Sequence, residues 1–524
     1  MITSTLKRIP LAKTRPYLFY DVALSICTTC YRKVEAKIVF QDSNVYLLKR
    51  CPEHGSEKVL IADDVDYYRR CREIFIKPPE MPLVYNTPVK WGCPYDCGLC
   101  TDHEQHSCLT LVEVCDYCNL RCPVCYANSG PERQQFRDLK QIEKMLDAVV
   151  RNEGHPDVVQ LSGGEPTVHP NFFEIVEMAK SRPIRHLMVN TNGVRIAQEE
   201  DFARRLADYK EDFEVYLQFD SFEREPLMQL RGADLRRVRE DALEKLNRYN
   251  ISTNLVVTLK KGLNDHEIGK TIDYALQQPC VRGVTFQPIQ DAGRLESWIP
   301  NAASKQDPGA PLLPGVGRSG GFDLPDMSTE GSFVRNFNPA TDRLTLTEVR
   351  RKILEQTNVF RPEDVIPVPC HPDSLAMAYA LKLNGKVTPL TSMIPPEVLI
   401  NGAANTILYE QEPSVREGLF KLFATNHSPQ SQAGTLRELL CCLPKVFVPD
   451  QISYENIFRI IIMQFIDAHS FDVRSVKKTC VHIVHPDGRL IPFDTYNLFY
   501  RDDLERARLE PLRRRAEGTL VEVS

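Results

Sequence analysis

Three cysteines in the run CNLRCPVC, namely Cys118, Cys122 and Cys125, have the types and spacing best suited to chemistry. Thiolates bind iron and zinc, and an ordinary electron-transfer [4Fe-4S] cluster takes four of them. Three thiolates spaced C-x3-C-x2-C can bind three irons of such a cluster and leave the fourth iron open. The alternative is a zinc site that a distant Cys or His completes. The spacing favours a reactive iron-sulfur centre.

A glycine-rich turn further along the chain supplies the second motif. Residues 158–161 predict a buried strand, and the segment SGGEP follows at once, with Gly163, Gly164, Glu165 and Pro166. Glycine lets a ligand approach the backbone closely. With C-x3-C-x2-C after one predicted strand and GGEP after the next, the chain resembles radical S-adenosylmethionine (SAM) enzymes.

The resemblance assigns roles to both motifs. It implies that the three cysteines hold the catalytic cluster and that the amino and carboxylate groups of SAM bind the open iron. It also implies that exposed carbonyls of the GGEP turn, together with Glu165, accept hydrogen bonds from the SAM ammonium group. The site residues expected from the turn are Gly163, Gly164, Glu165 and Pro166.

Alternating β-branched runs and amphipathic stretches predict parallel βα units between residues 109 and 290. Two helices are predicted from apolar spacing near 3.6, around 139–149 and 235–246. Six units make a partial (β/α)6 barrel of the TIM type within the α/β class, rather than a closed eight-fold barrel. The predicted strands are 109–114, 158–161, 186–190, 215–219, 253–258 and 283–287.

Polar residues at the ends of these strands are the next candidates, because ligands bind at the C-terminal strand ends of such a sheet. We expect Asn192, Gln218 and Gln287 to contact SAM. Each of them could instead be a strand cap or a buried amide with its hydrogen bonds satisfied. Other polar residues selected by the same rule are Asn190, Asp220 and Thr258.

Cysteine is concentrated in the N-terminal part, where twelve of the 17 cysteines precede residue 126. In a chain this large, such crowding favours metal ligation in a reducing compartment over disulfides. Cys27 and Cys30 form one pair, and Cys51 and His54 form another across a predicted β-hairpin. This pattern suits one tetrahedral zinc or rubredoxin-like iron, with His54 and Cys71 as alternatives for the fourth ligand.

A second array of cysteines lies in the segment CPYDCGLC and just beyond it. Four thiolates can hold a complete auxiliary [4Fe-4S] cluster, and structural zinc is the alternative. His103 and His106 are expected near this site or at the surface rather than as ligands. The expected ligands are Cys93, Cys97, Cys100 and Cys108.

The C-terminal region is predicted to be mostly helical within an α+β arrangement. Its apolar segments, 439–446 and 457–466, fit either a helical core or the wall of an acyl-chain tunnel. Cys370 and Cys480 are candidate ligands there, with Ser374 and Asp494 at neighbouring candidate positions. The adjacent pair Cys441 and Cys442 is expected to serve packing.

The sequence predicts four segments. Residues 1–108 form a Cys-rich N-terminal module with the mononuclear site and the auxiliary cluster. Residues 109–296 form the radical SAM barrel. A Gly/Pro-rich insertion or linker covers 297–342, where the breaker-rich stretch 301–338 predicts a loop. Residues 343–524 form the C-terminal region.

A closer resemblance is carried by the block from WGCPYDCGLC to CPVCYANSG, by the upstream CTTC and CPEHG, and by LSGGEPTVHP, VTFQPIQDAGR and VHPDGRLIPF. The chain is similar to the group containing archaeal tetraether lipid synthase, whose relatives have also been labelled pterin methylases. The similarity implies an N-terminal mononuclear iron, an auxiliary cluster, the radical SAM cluster, a further C-terminal cluster and a lipid tunnel.

The implied activity is reductive cleavage of SAM to a 5′-deoxyadenosyl radical that takes hydrogen from an unactivated carbon. In the tetraether reading, two lipid chains are then joined through a C-C bond. The alternative is radical methylation of a pterin or other heterocycle, which needs a compact polar site instead of an apolar channel. A zinc-stabilised scaffold is the non-enzyme alternative. The expected partners are SAM, a lipid or small-molecule substrate and an electron donor such as ferredoxin or flavodoxin.

Composition excludes other classes. A formal net charge of -5 over 524 residues argues against a nucleic-acid partner, which would call for a strongly basic surface. The sequence contains neither the apolar core of a signal peptide nor a run of ~18 apolar residues that could span a membrane. We expect a cytoplasmic protein, with peripheral membrane contact through the basic end of 501–515 as a minor alternative.

Overall fold

The computed structural model describes residues 14–75, 78, 80–300, 331–335, 337–383, 386–392, 396 and 456–521. The predicted helix 439–446, the cysteine pair within it and most of the predicted loop 301–338 lie outside these ranges. Among the described helices, none combines the length and the apolar character that crossing a bilayer requires.

The N-terminal module begins with a four-stranded antiparallel sheet in the order β1-β2-β3-β4. The hairpin predicted between the two metal-ligand pairs is present as β2 and β3. Asp64 caps the following helix by accepting a hydrogen bond from the backbone N-H of Tyr67. The elements are β1 (Leu18–Ile26), β2 (Lys33–Gln41), β3 (Asn44–Cys51), β4 (Gly55–Ala62) and α1 (Val65–Glu73).

The barrel region alternates strands and helices as predicted, and all six predicted strands are present. Asp138 begins its first helix by capping the N-H of Gln141, and Gly154 ends that helix with a positive φ of 68°. The elements are β5 (Leu109–Cys115), β6 (Val124–Cys125), α2 (Leu139–Glu153), β7 (Val158–Gly163), a 3₁₀ turn (Pro166–Val168), α3 (Phe172–Lys180), β8 (His186–Thr191), α4 (Val194–Gln198), α5 (Glu200–Leu206), a 3₁₀ turn (Ala207–Tyr209), β9 (Phe213–Gln218), α6 (Arg224–Arg231), α7 (Arg236–Arg248), β10 (Thr253–Leu259), α8 (Ile268–Gln277) and β11 (Val281–Pro288).

The remaining described elements join or cover this barrel. They are β12 (Arg294–Pro300), β13 (Gly331–Arg335), α9 (Leu346–Gln356), β14 (Ile366–Pro367), β15 (Leu375–Leu383), β16 (Lys386–Pro389), a 3₁₀ turn (Leu390–Ser392), β17 (Ile457–Met463), α10 (Val473–Lys477), β18 (Val481–Val484), β19 (Leu490–Pro492), α11 (Phe493–Thr495), two π-helical segments (Tyr496–Tyr500 and Glu505–Leu509) and α12 (Glu510–Val521).

One large sheet organises the core, in the order β14-β15-β17-β11-β10-β9-β8-β7-β5-β18-β19. The six predicted strands run parallel, and two strands from the C-terminal region extend this parallel set at both edges. At one edge β17 pairs with β11, and at the other β18 pairs with β5. In the described part of the chain β17 and β18 do not pair, so the barrel is open, as predicted.

The segment 457–466 corrects the prediction of an apolar helix. Its residues Ile457–Met463 form β17, every residue of which is buried. The strand lies between β11 and β15, so neighbouring strands take up its backbone hydrogen bonds on both sides. A strand buried on both faces has a continuous apolar sequence, which cannot be distinguished from a buried helix by periodicity.

A histidine joins the N-terminal sheet to the barrel. His469 Nδ1 is 2.7 Å from Glu57 on β4, and His469 Nε2 is 3.6 Å from Asp291, just after the last predicted strand. Burial opposes protonation, but hydrogen bonds to Asp291 and Glu57 outweigh it and raise the pKa of His469 to about 9. A charged imidazole therefore holds the N-terminal module against the C-terminal end of the barrel strands.

Candidate functional site

The three cysteines of the C-x3-C-x2-C motif line one cavity. Cys118 and Cys122 lie on the loop after β5 and are buried, and Cys125 lies in β6 and is half-buried. Within the described chain these sulfurs are not among the sets whose atoms all approach within 4.8 Å. Thiolates are the donors that an iron-sulfur cluster takes, so these three cysteines fit the predicted cluster.

The glycine turn packs directly against the cysteine loop. Gly163 has a φ of +119°, which favours glycine, and a Cβ at Gly164 would lie 1.9 Å from the carbonyl oxygen of Tyr117. The backbone N-H of Gly164 donates to Cys115 O at 2.8 Å. Both glycines line the cavity. Both positions therefore need glycine so that two backbone segments can approach each other closely, apart from any contact with a ligand.

Glu165 and Pro166 are buried next to the glycine turn. The Glu165 carboxylate is 1% exposed and accepts hydrogen bonds from Thr167, Thr191 and the backbone N-H of Asn192 at 2.5 to 3.1 Å. Pro166 begins the 3₁₀ turn that Glu165 caps. Neither lines the cavity. Because Oε2 accepts only the hydrogen bond from Asn192, the expectation that Glu165 accepts from the SAM ammonium stays a prediction.

The three amides predicted to contact SAM do line the cavity. Asn192 Nδ2 donates to Asn119 Oδ1 at 2.7 Å, and its Oδ1 accepts from the N-H of Val194. Gln287 Nε2 donates to Tyr216 Oη at 3.1 Å. Gln218 lines the cavity from the end of β9. Asn192 is thus a turn cap that also lines the cavity, and its contact with SAM stays a prediction.

A buried ion-pair network borders the cavity next to Cys122. Arg231 donates to both oxygens of Asp220 at 2.7 and 2.8 Å, and Arg239 donates to the same carboxylate at 3.0 Å. Coulombic attraction to both arginines and their hydrogen bonds outweigh the effect of burial and lower the pKa of Asp220. Among the described cavity residues, Arg231 is the only charged side chain.

The cavity has a volume of about 120 Å³, and its wall combines apolar side chains with several amides. Sequence reasoning did not select several of its wall residues, because two of them lie within strands, one ends a helix and one follows a strand. A polar residue inside an apolar run, such as glutamine in VVQLSG, was the available signal. The unselected residues include Gln160, Tyr216, Arg231 and Gln290.

The N-terminal pairs come together as a possible tetrahedral site. The ligand atoms of Cys27, Cys30, Cys51 and His54 all lie within 4.8 Å of one another, with His54 Nδ1 3.6 Å from Cys27 Sγ. Burial opposes ionisation, but hydrogen bonds from His54 and from the backbone lower the pKa of Cys51 to about 6. Of the two alternatives for the fourth position, the structure places His54 here. Cys71 packs in the main core instead.

The predicted auxiliary set is divided between two places. Cys93, Cys97 and Cys100 remain neighbours, and Cys97 Sγ donates to Thr495 Oγ1 at 2.9 Å. Cys108 does not join them, which corrects the expected four-cysteine array. The physical reason is that Cys108 immediately precedes β5, and strand pairing carries it toward the C-terminal region.

Cys108 instead meets Cys370 and Cys480. Their sulfur atoms all lie within 4.8 Å of one another, and Cys370 and Cys480 are 3.0 Å apart. Burial raises the pKa of Cys108 and Cys370, whereas hydrogen bonds from these two thiols lower the pKa of Cys480 to about 5. His106 Nε2 is 3.5 Å from Cys108 Sγ. Asp494 lies nearby but hydrogen-bonds Thr479 and Ile466 instead.

Comparison with known proteins agrees with this geometry. Residues 112–275 match the family model of the Radical SAM superfamily, and residues 19–63 match that of the HMPTM N-terminal zinc ribbon domain. With the cysteine loop and glycine turn facing one cavity at the strand ends, the chain is a radical SAM enzyme. This class uses a [4Fe-4S] cluster and SAM.

Individual relatives differ in how much of the chain they match. The chain is 28% identical over 514 residues to 7,8-dihydro-6-hydroxymethylpterin dimethyltransferase of Methanocaldococcus jannaschii, covering 93% of this chain and 96% of that protein. It is 26% identical to a GTP 3′,8-cyclase of Alkaliphilus oremlandii over 40% of this chain and 71% of the cyclase. The SAM-bound structure of Streptococcus suis SuiB is 16% identical with a TM-score of 0.31, covering 36% of this chain and 41% of SuiB.

Proposed function

We propose that this radical SAM enzyme methylates a pterin or a similar neutral heterocycle. The observation that carries the proposal is the wall of the cavity beside the cysteine loop, which includes several amide side chains. A compact, uncharged ring with its own donors and acceptors matches such walls. The similarity to the hydroxymethylpterin dimethyltransferase over nearly the whole chain supports this choice.

Two competing substrates fit the cavity less well. Lipid coupling, the main expectation from the sequence, needs a long apolar channel, whereas several amide side chains line the described cavity beside its apolar ones. A nucleoside triphosphate, the substrate named for the cyclase relatives, would need several cations to hold its phosphates. Arg231 is the one cation in the described wall, and its guanidinium is already paired with Asp220.

Different residues of the chain have different roles in the proposed site. A [4Fe-4S] cluster bound by Cys118, Cys122 and Cys125 would supply the electron that cleaves SAM. Gly163, Gly164 and the predicted amides would line the bound SAM, and Glu165 holds their turn in place. Phe465 and Phe493 stack at 3.9 Å and line the cavity, where they exclude water from a reactive radical. The proposed SAM-lining amides are Asn192, Gln218 and Gln287.

The other cysteine groups are proposed as separate metal sites. We propose that Cys93, Cys97 and Cys100 bind an auxiliary [4Fe-4S] cluster. The zinc ribbon match favours zinc at the N-terminal site, whose ligands would be Cys27, Cys30, Cys51 and His54. A further ion would be held by Cys108, Cys370 and Cys480. An external electron donor such as ferredoxin or flavodoxin stays a prediction.

The direct test is an anaerobic assay with SAM, a reductant and 7,8-dihydro-6-hydroxymethylpterin. Mass spectrometry should show 5′-deoxyadenosine and methionine from the SAM that is cleaved, S-adenosylhomocysteine from the SAM that donates a methyl group, and a pterin heavier by methyl groups. Replacing Cys118, Cys122 and Cys125 together by Ala should abolish these products, while the N-terminal metal remains. An unchanged pterin with consumption of a diether lipid and a new C-C link would transfer the assignment to lipid coupling.

A further inference from the structure

Gln160 is an unusual residue for its position. It lies in the middle of β7, is 3% exposed and lines the cavity, whereas barrel interiors are dominated by branched apolar side chains. Its Nε2 has no hydrogen-bond partner among the described residues. Burying an unpaired amide is unfavourable, and such a group in a binding cavity calls for a partner. Gln160 therefore is a cavity-wall residue whose buried donor lacks a described partner.

Asn190 presents the complementary group from the next strand, β8. Its Nδ2 donates to Ser162 Oγ at 3.4 Å, and Ser162 Oγ in turn is 3.0 Å from Tyr126 Oη. This chain of contacts fixes the amide, and Asn190 Oδ1 is left without a partner within the described structure. Because Asn190 also lines the cavity, the acceptor without a described partner and the Gln160 donor belong to residues of the same wall.

The surroundings of this pair are polar but uncharged. Asn190 is in register with Tyr216 on β9, and the hydroxyl of Tyr216 accepts from Gln287 on β11. The layer of polar side chains thus continues across the barrel. Gln290 adds a second buried oxygen without a described partner. A neutral ligand suits this layer, since a bound anion would find no free cation there.

We infer that Gln160 and Asn190 form the subsite that reads the amide edge of the substrate ring. The Gln160 Nε2 donates to a ring carbonyl oxygen, and the Asn190 Oδ1 accepts from a ring N-H or an exocyclic amine. The ligand class is a neutral fused ring with a carbonyl beside an N-H, as in pterins and purinones. This inference deepens the proposed function and rests on it for the choice of ring.

The test combines variants with ligand analogues on the complete, cluster-loaded enzyme. Gln160→Met and Asn190→Leu remove the polar groups at similar volume, and each should raise the Kd for 7,8-dihydro-6-hydroxymethylpterin about 10- to 100-fold. Anaerobic fluorescence titration measures that Kd. Met188→Leu, two residues before Asn190 on the same strand and buried at 4%, is the matched apolar control and should leave the Kd unchanged.

Analogues separate recognition from structural damage. Wild type should discriminate against an analogue without the ring carbonyl and one without the exocyclic amine. Gln160→Met should lose only the discrimination against the analogue without the ring carbonyl. Asn190→Leu should lose the discrimination against an analogue without the N-H group that donates to Asn190. A variant that merely loosened the barrel would weaken all ligands equally, and that uniform loss would overturn the subsite.

Failure of the subsite and failure of the proposed function give different results. If wild type methylates the pterin and both variants bind it with unchanged affinity, the subsite is wrong and the function stands. If wild type ignores the pterin but binds a purinone such as guanine, with affinity lost in both variants, the subsite stands and the function falls. Binding of neither ring by wild type would overturn both.

Discussion

Replacing Glu165 by Gln tests whether this residue holds the glycine turn or touches SAM. The carboxylate accepts three hydrogen bonds on Oε1, from the N-H and hydroxyl of Thr167 and from the hydroxyl of Thr191, and one on Oε2 from the N-H of Asn192. A Gln oxygen can keep the first three. Its NH₂ group then faces the N-H of Asn192, which leaves two donors opposed.

The expected cost follows from those contacts. Losing a hydrogen bond to a charged acceptor costs about 1.5–3 kcal/mol of stability. Leaving a buried N-H without a partner costs about 1–3 kcal/mol more. Burial raises the pKa of Glu165, so removing a buried charge offsets part of that loss. We expect the SAM-free Glu165→Gln protein to lose about 2 kcal/mol of unfolding free energy.

Urea unfolding of the anaerobic, SAM-free protein measures this loss, and SAM affinity is titrated separately. SAM affinity should fall as well, because the variant displaces Asn192 and the glycines. Glu143→Gln on the exposed face of α2 is the matched control and should change stability by less than ~0.5 kcal/mol. A Glu165→Gln protein that is as stable as wild type without SAM, yet unable to bind SAM, would refute the structural role and support a direct contact between Glu165 and SAM.

Three further perturbations test other parts of the structure. His469→Gln should cost about 1 kcal/mol near pH 6, allowing for the partial exposure of this histidine. Because the folded pKa of about 9 exceeds the ordinary 6.5, the stabilisation by His469 is complete below pH 6.5 and disappears as the pH rises through 9. A difference in unfolding free energy between wild type and variant that stays constant from pH 6 to 10, measured by urea unfolding, would contradict this. His54→Ala should lose one metal ion per chain by elemental analysis while Cys71→Ala keeps it, and equal retention in both would remove His54 as a ligand. Cys480→Ser should lose one ion while Cys280→Ser, a buried cysteine outside the four cysteine groups, keeps the full content; full content in both would mean that the Cys480 group binds no metal.

The six barrel strands could be predicted because each is a short β-branched run between breakers. Segment 457–466 could not be read in the same way. Its isoleucines have no alternation because both faces of β17 are covered, so the run suited a buried helix equally well. The strand is selected by its neighbours β11 and β15, which are distant in sequence.

In the candidate site, too, the residues that belong to local sequence motifs could be predicted, and those that depend on tertiary structure could not. The cysteine loop and the glycine turn are local motifs, and the sequence predicted that they would meet. Cys108 was assigned to its sequence neighbours because nothing local shows that β5 pairs with β18. The partners of Glu165 come from the end of the next strand, so its role also depended on tertiary structure.

The group of Cys108, Cys370 and Cys480 has a consequence for biosynthesis. The ribosome completes β5 early, yet its outer neighbour β18 and the third cysteine emerge only near the end of translation. All three thiols are at most 3% exposed in the folded protein. If they hold an ion, it has to arrive before the last strand closes over it. Cellular metal supply during synthesis, rather than afterwards, would then set the yield of correctly assembled protein.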